Sequence, residues 1–360
     1  MISISPGFDV IGLALSIWLE LQVNVDTSKL QSDAPLNCVI TYEGEGAKEV
    51  SLVPDHNLIT RTALYVLRCH DRWTFPVETA VHIINPIPLG RGLGSSGAAV
   101  VSGVMLANEV GNLGLSKARM LDYCLMIERH PDNVAAALYG GLVGTYLNEL
   151  DPIDTERKEI PLSEVLPEPA GGLDTGLKPP EPPYGIGHYK KFKWATEIKA
   201  ITIIPRFEVS TAKAREVLPT MYSRKDMVGS PRFTRKQLEI VTDQIQVFNM
   251  QRIALLTTAL GESPPDADMI YQGMQDKVHQ PYRRTLIPGL TEILQSMTPK
   301  SHPGLMGICL SGAGPTILAL ATHNIENIAG VILAKFKEED IDCDWKVLRP
   351  AEDGAVVIRS

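Results

Sequence analysis

Residues 85–99 read Asn-Pro-Ile-Pro-Leu-Gly-Arg-Gly-Leu-Gly-Ser-Ser-Gly-Ala-Ala, with glycines alternating at Gly90, Gly92 and Gly94. Glycine lacks a Cβ, so its backbone turns tightly and approaches a ligand closely. Ser95 and Ser96 stand where a helix would begin, and the free amides there form an anion site. The stretch therefore has the chemistry of a phosphate cradle. It is not a Walker A loop, because no Gly-Lys-Ser/Thr follows. It is not a dinucleotide fingerprint either, since Ser95 occupies the third glycine's place. Without further context it also reads as a plain glycine turn between a strand and a buried helix.

Three more groups could carry chemistry. In Glu128-Arg129-His130-Pro131-Asp132-Asn133, a helix over 116–129 at about 100° per residue would place Glu128 on the apolar face of Leu121, Cys124 and Leu125. Asp122 would lie opposite, as a solvated charge. An inward carboxylate needs compensation, and Mg2+ or a buried basic partner would each supply it. Ser210-Thr211-Ala212-Lys213-Ala214-Arg215 puts Thr211 and Arg215 on one face of a helix start. Arg252 interrupts an otherwise apolar helix, and two arginines aimed at one pocket would grip a carboxylate. A surface or interface ion pair is the competing reading for each. Leu310-Ser311-Gly312-Ala313-Gly314-Pro315-Thr316 is, by itself, a tight turn between strands.

Taken in order, these runs resemble the motifs of the GHMP small-molecule kinases, and His130-Pro131-Asp132-Asn133 is similar to the signature of the homoserine kinase branch, fungal type. The resemblance implies an α+β fold. Its nucleotide-binding domain, like domain 2 of ribosomal protein S5, would span 1–150. A Pro/Gly-rich connector would follow at 151–196, then a ferredoxin-like α/β sandwich at 197–360. It implies ATP held by Asn57 and by Pro88, Leu89, Gly90, Arg91, Gly92, Leu93, Gly94, Ser95, Ser96, Gly97 and Ala98. It implies Mg2+ on Ser96 and Glu128, and L-homoserine met by Asp9, His130, Asn133, Thr211, Arg215, Arg252 and Gly312. Asp9 is the candidate catalytic group, an orienter before a base. The implied reaction is phosphorylation of the homoserine side-chain hydroxyl, a step of threonine biosynthesis, and the resemblance allows a homodimer. The alternatives are another kinase of this family, acting on mevalonate, a sugar or shikimate, and a nucleotide-binding remnant without turnover.

Two departures stand out. The run Ser5-Pro6-Gly7-Phe8-Asp9 begins inside the family's Asn-x-Gly-Pro-Gly motif, with Ser3 and Ser5 where Asn and Gly are expected. This reads as a truncated start that would leave a sheet edge open. Residues 228–246 are an insertion, either a longer helix or a retained intron.

The elements that must position these groups follow from composition and periodicity. The chain has 360 residues, 44% hydrophobic and 21% charged, with net charge −8. That size admits two domains, and the acidic balance argues against nucleic acid or an anionic membrane as partner. Five scattered cysteines without a C-x-x-C pair fit buried thiols in the reducing cytoplasm, with no zinc site. No apolar run reaches the length of a membrane span. Val10–Val25 reads as one strand, Thr79–Ile84 as a strand feeding the glycine loop, and Gly140–Tyr146 as another. Helices are expected at Asn57–Cys69, Ser95–Glu109, Ser116–Arg129, Ser210–Leu218, Gln237–Leu260 and Ile325–Lys337. Strands are expected at Ile198–Ile204, Met306–Leu310 and Thr316–Ala321. The Pro- and Gly-rich stretch 151–194 resists both helix and central strand and reads as a long connector between domains, or an excursion packed on the surface.

Overall fold

The computed structural model describes residues 1–149 apart from 27, 30 and 129, then 178–218 and 235–359; the side chains of 211–212 and 235–246 are outside that description. The first part of the connector, 151–177, and the first part of the insertion therefore lie outside the described residues.

The first half is built from seven strands and four helices among the described residues. Strands β1 (Ile2–Ser3), β2 (Ile11–Leu13), β6 (Leu142–Leu147) and β7 (Gly187–Phe192) form one antiparallel sheet in that order. Strands β3 (Glu20–Val25), β5 (Thr79–Asn85) and β4 (Cys38–Gly44) form a second, with β5 antiparallel to β3 and parallel to β4. Helices α1 (Leu58–Cys69), α2 (Ser95–Gly111), α3 (Lys117–Ile127) and α4 (Pro131–Tyr139) pack between and against them. Helix α2 is apolar on nearly every side and buries Val100, Val101, Val104 and Ala107. That is the composition of a helix enclosed by the core.

The second half begins with β8 (Lys199–Pro205). Helices follow: the short α5 (Thr211–Glu216), the long α6 (Arg235–Ala259), then the short α7 (Ala267–Gly273), α8 (Gln280–Arg283) and α9 (Leu290–Ser296). The chain then forms the hairpin of β9 (Leu305–Leu310) and β10 (Ile317–Ala321), the helix α10 (Ile325–Glu338) and the strand β11 (Cys343–Leu348). Sheet order is β11-β8-β10-β9, antiparallel at every pairing. This β-α-β-β-α-β arrangement is the expected ferredoxin-like sandwich. No helix among the described residues is long and apolar enough to cross a membrane.

Three expectations are corrected. Val10–Val25 is two strands in two sheets. After Leu13 the chain is tied to the C-terminal segment, with Ala14 accepting from Ala351 and Ser16 donating to Arg349 O, and it turns there. The connector's composition resists a central strand but not an edge strand, and its residues Gly187–Phe192 form β7. Its place at a sheet edge tolerates the prolines just before it, because an edge strand need not donate on its outer side. The edge beside β2 is covered by Ile2–Ser3 over two residue pairs.

Asp122 is the third correction. It is 3% exposed, not solvated. Its carboxylate accepts from Ile186 N at 2.9 Å, Gly185 N at 3.1 Å and Arg119 Nη1 at 3.3 Å. Arg119, 7% exposed, also holds Glu181 and the Pro183 carbonyl. The segment 181–186 is thus strapped over α3 by a buried ion pair. Replacing Asp122 by Ala leaves Arg119 partly unpaired and two amides unsatisfied. Urea unfolding should show a loss of about 3 kcal/mol, and a loss under ~0.5 kcal/mol would mean that the strap is not held this way.

Candidate active site

The cradle is built where β5 ends. Asn85, 3% exposed, donates to Tyr42 Oη at 2.8 Å and accepts from Ile87 N at 3.0 Å, which sets the path of the following residues. Gly90, Gly92 and Gly94 have φ of +61°, +76° and +69°. The left-handed region is cheap only for glycine. Gly94 is also the N-cap of α2 and offers no side chain to its first-turn amides. Those amides stay available to an anion.

At Gly92 an added Cβ would lie 2.5 Å from Ser311 O and 3.1 Å from Gly314 O. The β9–β10 turn therefore rests directly on the loop. Ser311 Oγ donates to Gly92 O at 2.6 Å, and Thr316 N donates to Arg91 O at 3.3 Å. Between the two loops lies a cavity of about 600 Å3.

Most of the expected nucleotide residues line that cavity: Asn57, Leu89, Gly90, Arg91, Gly92, Gly94, Ser95 and Ser96. Pro88, Leu93, Gly97 and Ala98 do not; Leu93 is 1% exposed beneath the loop. Asn57 is the N-cap of α1, accepting from Ile59 N and donating to Ser51 O, so much of its amide is already committed.

Glu128, His130, Asn133 and Gly312 line the same cavity. Glu128 does not lie on the helix as expected. Helix α3 stops at Ile127, and Glu128 and His130 both have extended backbone angles. Its carboxylate still turns inward, with 11% side-chain exposure, and bonds His130 Nδ1. Burial pushes the Glu128 carboxyl up. The His130 hydrogen bond, the Ser96 hydroxyl and the His130 amide outweigh this and hold it below the ordinary value.

His130 Nε2 accepts from Arg215 Nη2 at 2.7 Å, and Arg215 reaches Asp9 Oδ2 at 3.6 Å. The Glu128 bond raises the His130 pKa against burial, Asp9 adding and Arg215 opposing. While Arg215 donates to Nε2, the ring is in its neutral form. Asp9 has φ of +62°, and its buried Oδ1 has no partner among the described residues. Thr211 opens the helix that carries Arg215.

Among the described residues no contact joins Arg252 to this group, and its buried Nε has no partner there. Its guanidinium lies 3.9 Å from the Phe248 ring centroid and donates to Gln251. Another arginine adjoins the group, Arg283, 2% exposed and not singled out from the sequence. It donates to Ala214 O beside Arg215 at 3.3 Å and to Gly312 O at 3.2 Å. Its guanidinium stacks 3.7 Å from the centroid of Phe8, the neighbour of Asp9. Its signal is weak in sequence, because Gln-Pro-Tyr-Arg shows no periodicity or paired charge. His279 packs against the other side of this cluster, 5.2 Å from Phe8 between centroids, with its pKa lowered by burial.

The profile of the GHMP kinases N terminal domain matches residues 57–141, and that of the GHMP kinases C terminal matches 258–338. The homoserine kinase of Saccharomyces cerevisiae is 58% identical over 99% of this chain and 95% of its own length. That of Schizosaccharomyces pombe is 49% identical over the same shares. The chain belongs to the homoserine kinase family of GHMP kinases. A solved homoserine kinase from Cytophaga hutchinsonii shares the fold of this family member with a TM-score of 0.68 at 21% identity, over 98% of this chain and 94% of that one.

One further carboxylate of this kinase lies just behind the cavity. Asp132 is completely buried, accepts from Ser3 Oγ at 2.5 Å and from Asn133 Nδ2 at 3.1 Å, and burial raises its pKa to about 6. The folded value lies above the ordinary 3.8, so the native state binds the proton more tightly than the unfolded chain. Its contribution is favourable at low pH and is lost as pH rises through about 6. Asp132→Asn should therefore gain stability relative to wild type between pH 4 and 8, by roughly 2 kcal/mol. Equal denaturation midpoint differences at both pH values would contradict the buried-charge account.

Proposed function

We infer that this chain transfers the γ-phosphate of ATP to the side-chain hydroxyl of L-homoserine, giving O-phospho-L-homoserine for threonine biosynthesis. One observation carries the reading: a glycine cradle and a buried carboxylate share a cavity with His130 and Phe8, and directly behind these two side chains stand Arg215, Asp9 and Arg283, a charge set fit for an amino acid. The relatives' shared name supports the acceptor. The division into a nucleotide half to residue 150 and an acceptor half from 197 is part of this proposal. A cytoplasmic site agrees with the five free cysteines.

The roles follow from position. The Gly90–Ser96 loop and the first turn of α2 grip the phosphates. Ser96 and Glu128 offer oxygen donors of the kind Mg2+ takes, and Glu128 is held ionised beside the Ser96 hydroxyl. When bound, Mg2+ neutralises charge on the transferring phosphoryl oxygens. Arg215 and Arg283 supply the positive charge for the acceptor carboxylate. Asn133 and Asp9 orient its polar groups, and the unpartnered Asp9 Oδ1 can accept the hydroxyl proton. The transition state of phosphoryl transfer is loose, so such positioning contributes more than proton removal.

ADP release with Mg-ATP should be seen with L-homoserine and be at background with mevalonate, galactose and shikimate. No turnover with any acceptor would favour a binding-only protein. Arg283→Met should lower kcat/KM for L-homoserine by the equivalent of about 2–5 kcal/mol. Arg252→Met should stay within about threefold of wild type, and the reverse ranking would restore Arg252 to the site.

A further inference from the structure

His130 stands between two groups that belong to different halves of the molecule. Glu128 and His130 lie in the turn between α3 and α4, and Arg215 lies on α5, beyond β8. Arg215 has only donors, so the 2.7 Å contact makes His130 Nε2 an acceptor. The ring proton then sits on Nδ1 and is given to Glu128 Oε1. Both ring nitrogens are used inside the protein, which leaves none for a substrate atom. Phe8 meets the ring edge-on at 6.3 Å between centroids.

Resting on the functional reading above, we propose that His130 is a positioning residue that joins the metal-facing carboxylate of Glu128 to the acceptor-facing Arg215 across the two halves. The imidazole is rigid, so one placement fixes both bonds. A shift of Arg215 on binding an acceptor is passed to Glu128, and a shift of Glu128 on binding a metal–nucleotide is passed back. Such coupling is reciprocal. It differs from direct contact between His130 and the amino acid, which would leave the metal side untouched.

The test uses calorimetry with a non-hydrolysable ATP analogue, with and without Mg2+, and with no acceptor present. Arg215→Met and His130→Ala should each weaken the Mg2+-dependent part of binding, about tenfold for His130→Ala. The metal-free part should stay at the wild-type value. His130→Gln should recover most of the loss, because its amide nitrogen can donate to Glu128 while its oxygen accepts from Arg215. Arg215 is half exposed, and its variant reads the link even if His130→Ala does not fold. Wild-type Mg2+ dependence in Arg215→Met would overturn the proposal, as would a His130→Gln no better than His130→Ala. The absence of any acceptor separates this result from a failure of the homoserine assignment, which shows only in turnover.

Discussion

Where Gly92 meets the β9–β10 turn, two backbones from opposite halves of the molecule approach to a distance that no side chain would permit. The cradle and the turn are then joined by the Ser311 hydroxyl and the Thr316 amide. The walls of the cavity come from both sides of this contact, so the cavity exists only while the contact does. A non-glycine residue at 92 would face two costs together. One is the left-handed backbone, roughly 1–2 kcal/mol; the other is a collision with Ser311 O. The alternating glycines thus have a second function besides closeness to phosphate. They let one half of the chain pack on the other at this point without a layer of side chains between.

The acceptor end follows a different logic, in which charge sets the geometry. Asp9, Glu128 and Asp132 lie close together in a chain whose net charge is already −8. Burial of Glu128 and Asp132 would favour their protonation. Glu128 escapes because His130 and Ser96 donate to it, whereas Asp132, given only the neutral Ser3 and Asn133, is pushed up. Arg215 and Arg283 lie on either side of the Phe8–Asp9 turn and offset the remaining charge. Two neighbouring carboxylates thereby shift in opposite directions, according to how far their donors offset burial. Backbone strain concentrates here too, since Asp9 is held at φ of +62°.

What could be read in the chain was local. The cradle, the α3 start at Ser116 and the hairpin around Gly312-Ala313-Gly314 each follow from a few neighbouring residues. What was hidden depends on partners far away in sequence. Asp122 reads as a surface charge because its amide donors come from Gly185 and Ile186. Strand β7 reads as linker because only β6 gives it a partner. Arg252 and Arg283 look alike in sequence, and what separates them is burial, which Phe8, Ala214 and Gly312 supply to one of them alone.

The misplaced end of α3 shows how one residue carries this logic into the chemistry. Pro131 lacks an amide and restricts the residue before it to extended backbone, so a helix running through 128–130 is excluded. His130 accordingly has φ −102° and ψ 93°, and Glu128 φ −105° and ψ 104°. In a helix, residues two apart point in nearly opposite directions; in extended chain they share a face. The Glu128 and His130 side chains meet for that reason. Pro131 meanwhile starts α4 at a position where its missing donor costs nothing. A single proline thus ends one helix, begins the next, and between them sets the carboxylate and imidazole side by side at the mouth of the phosphate cradle.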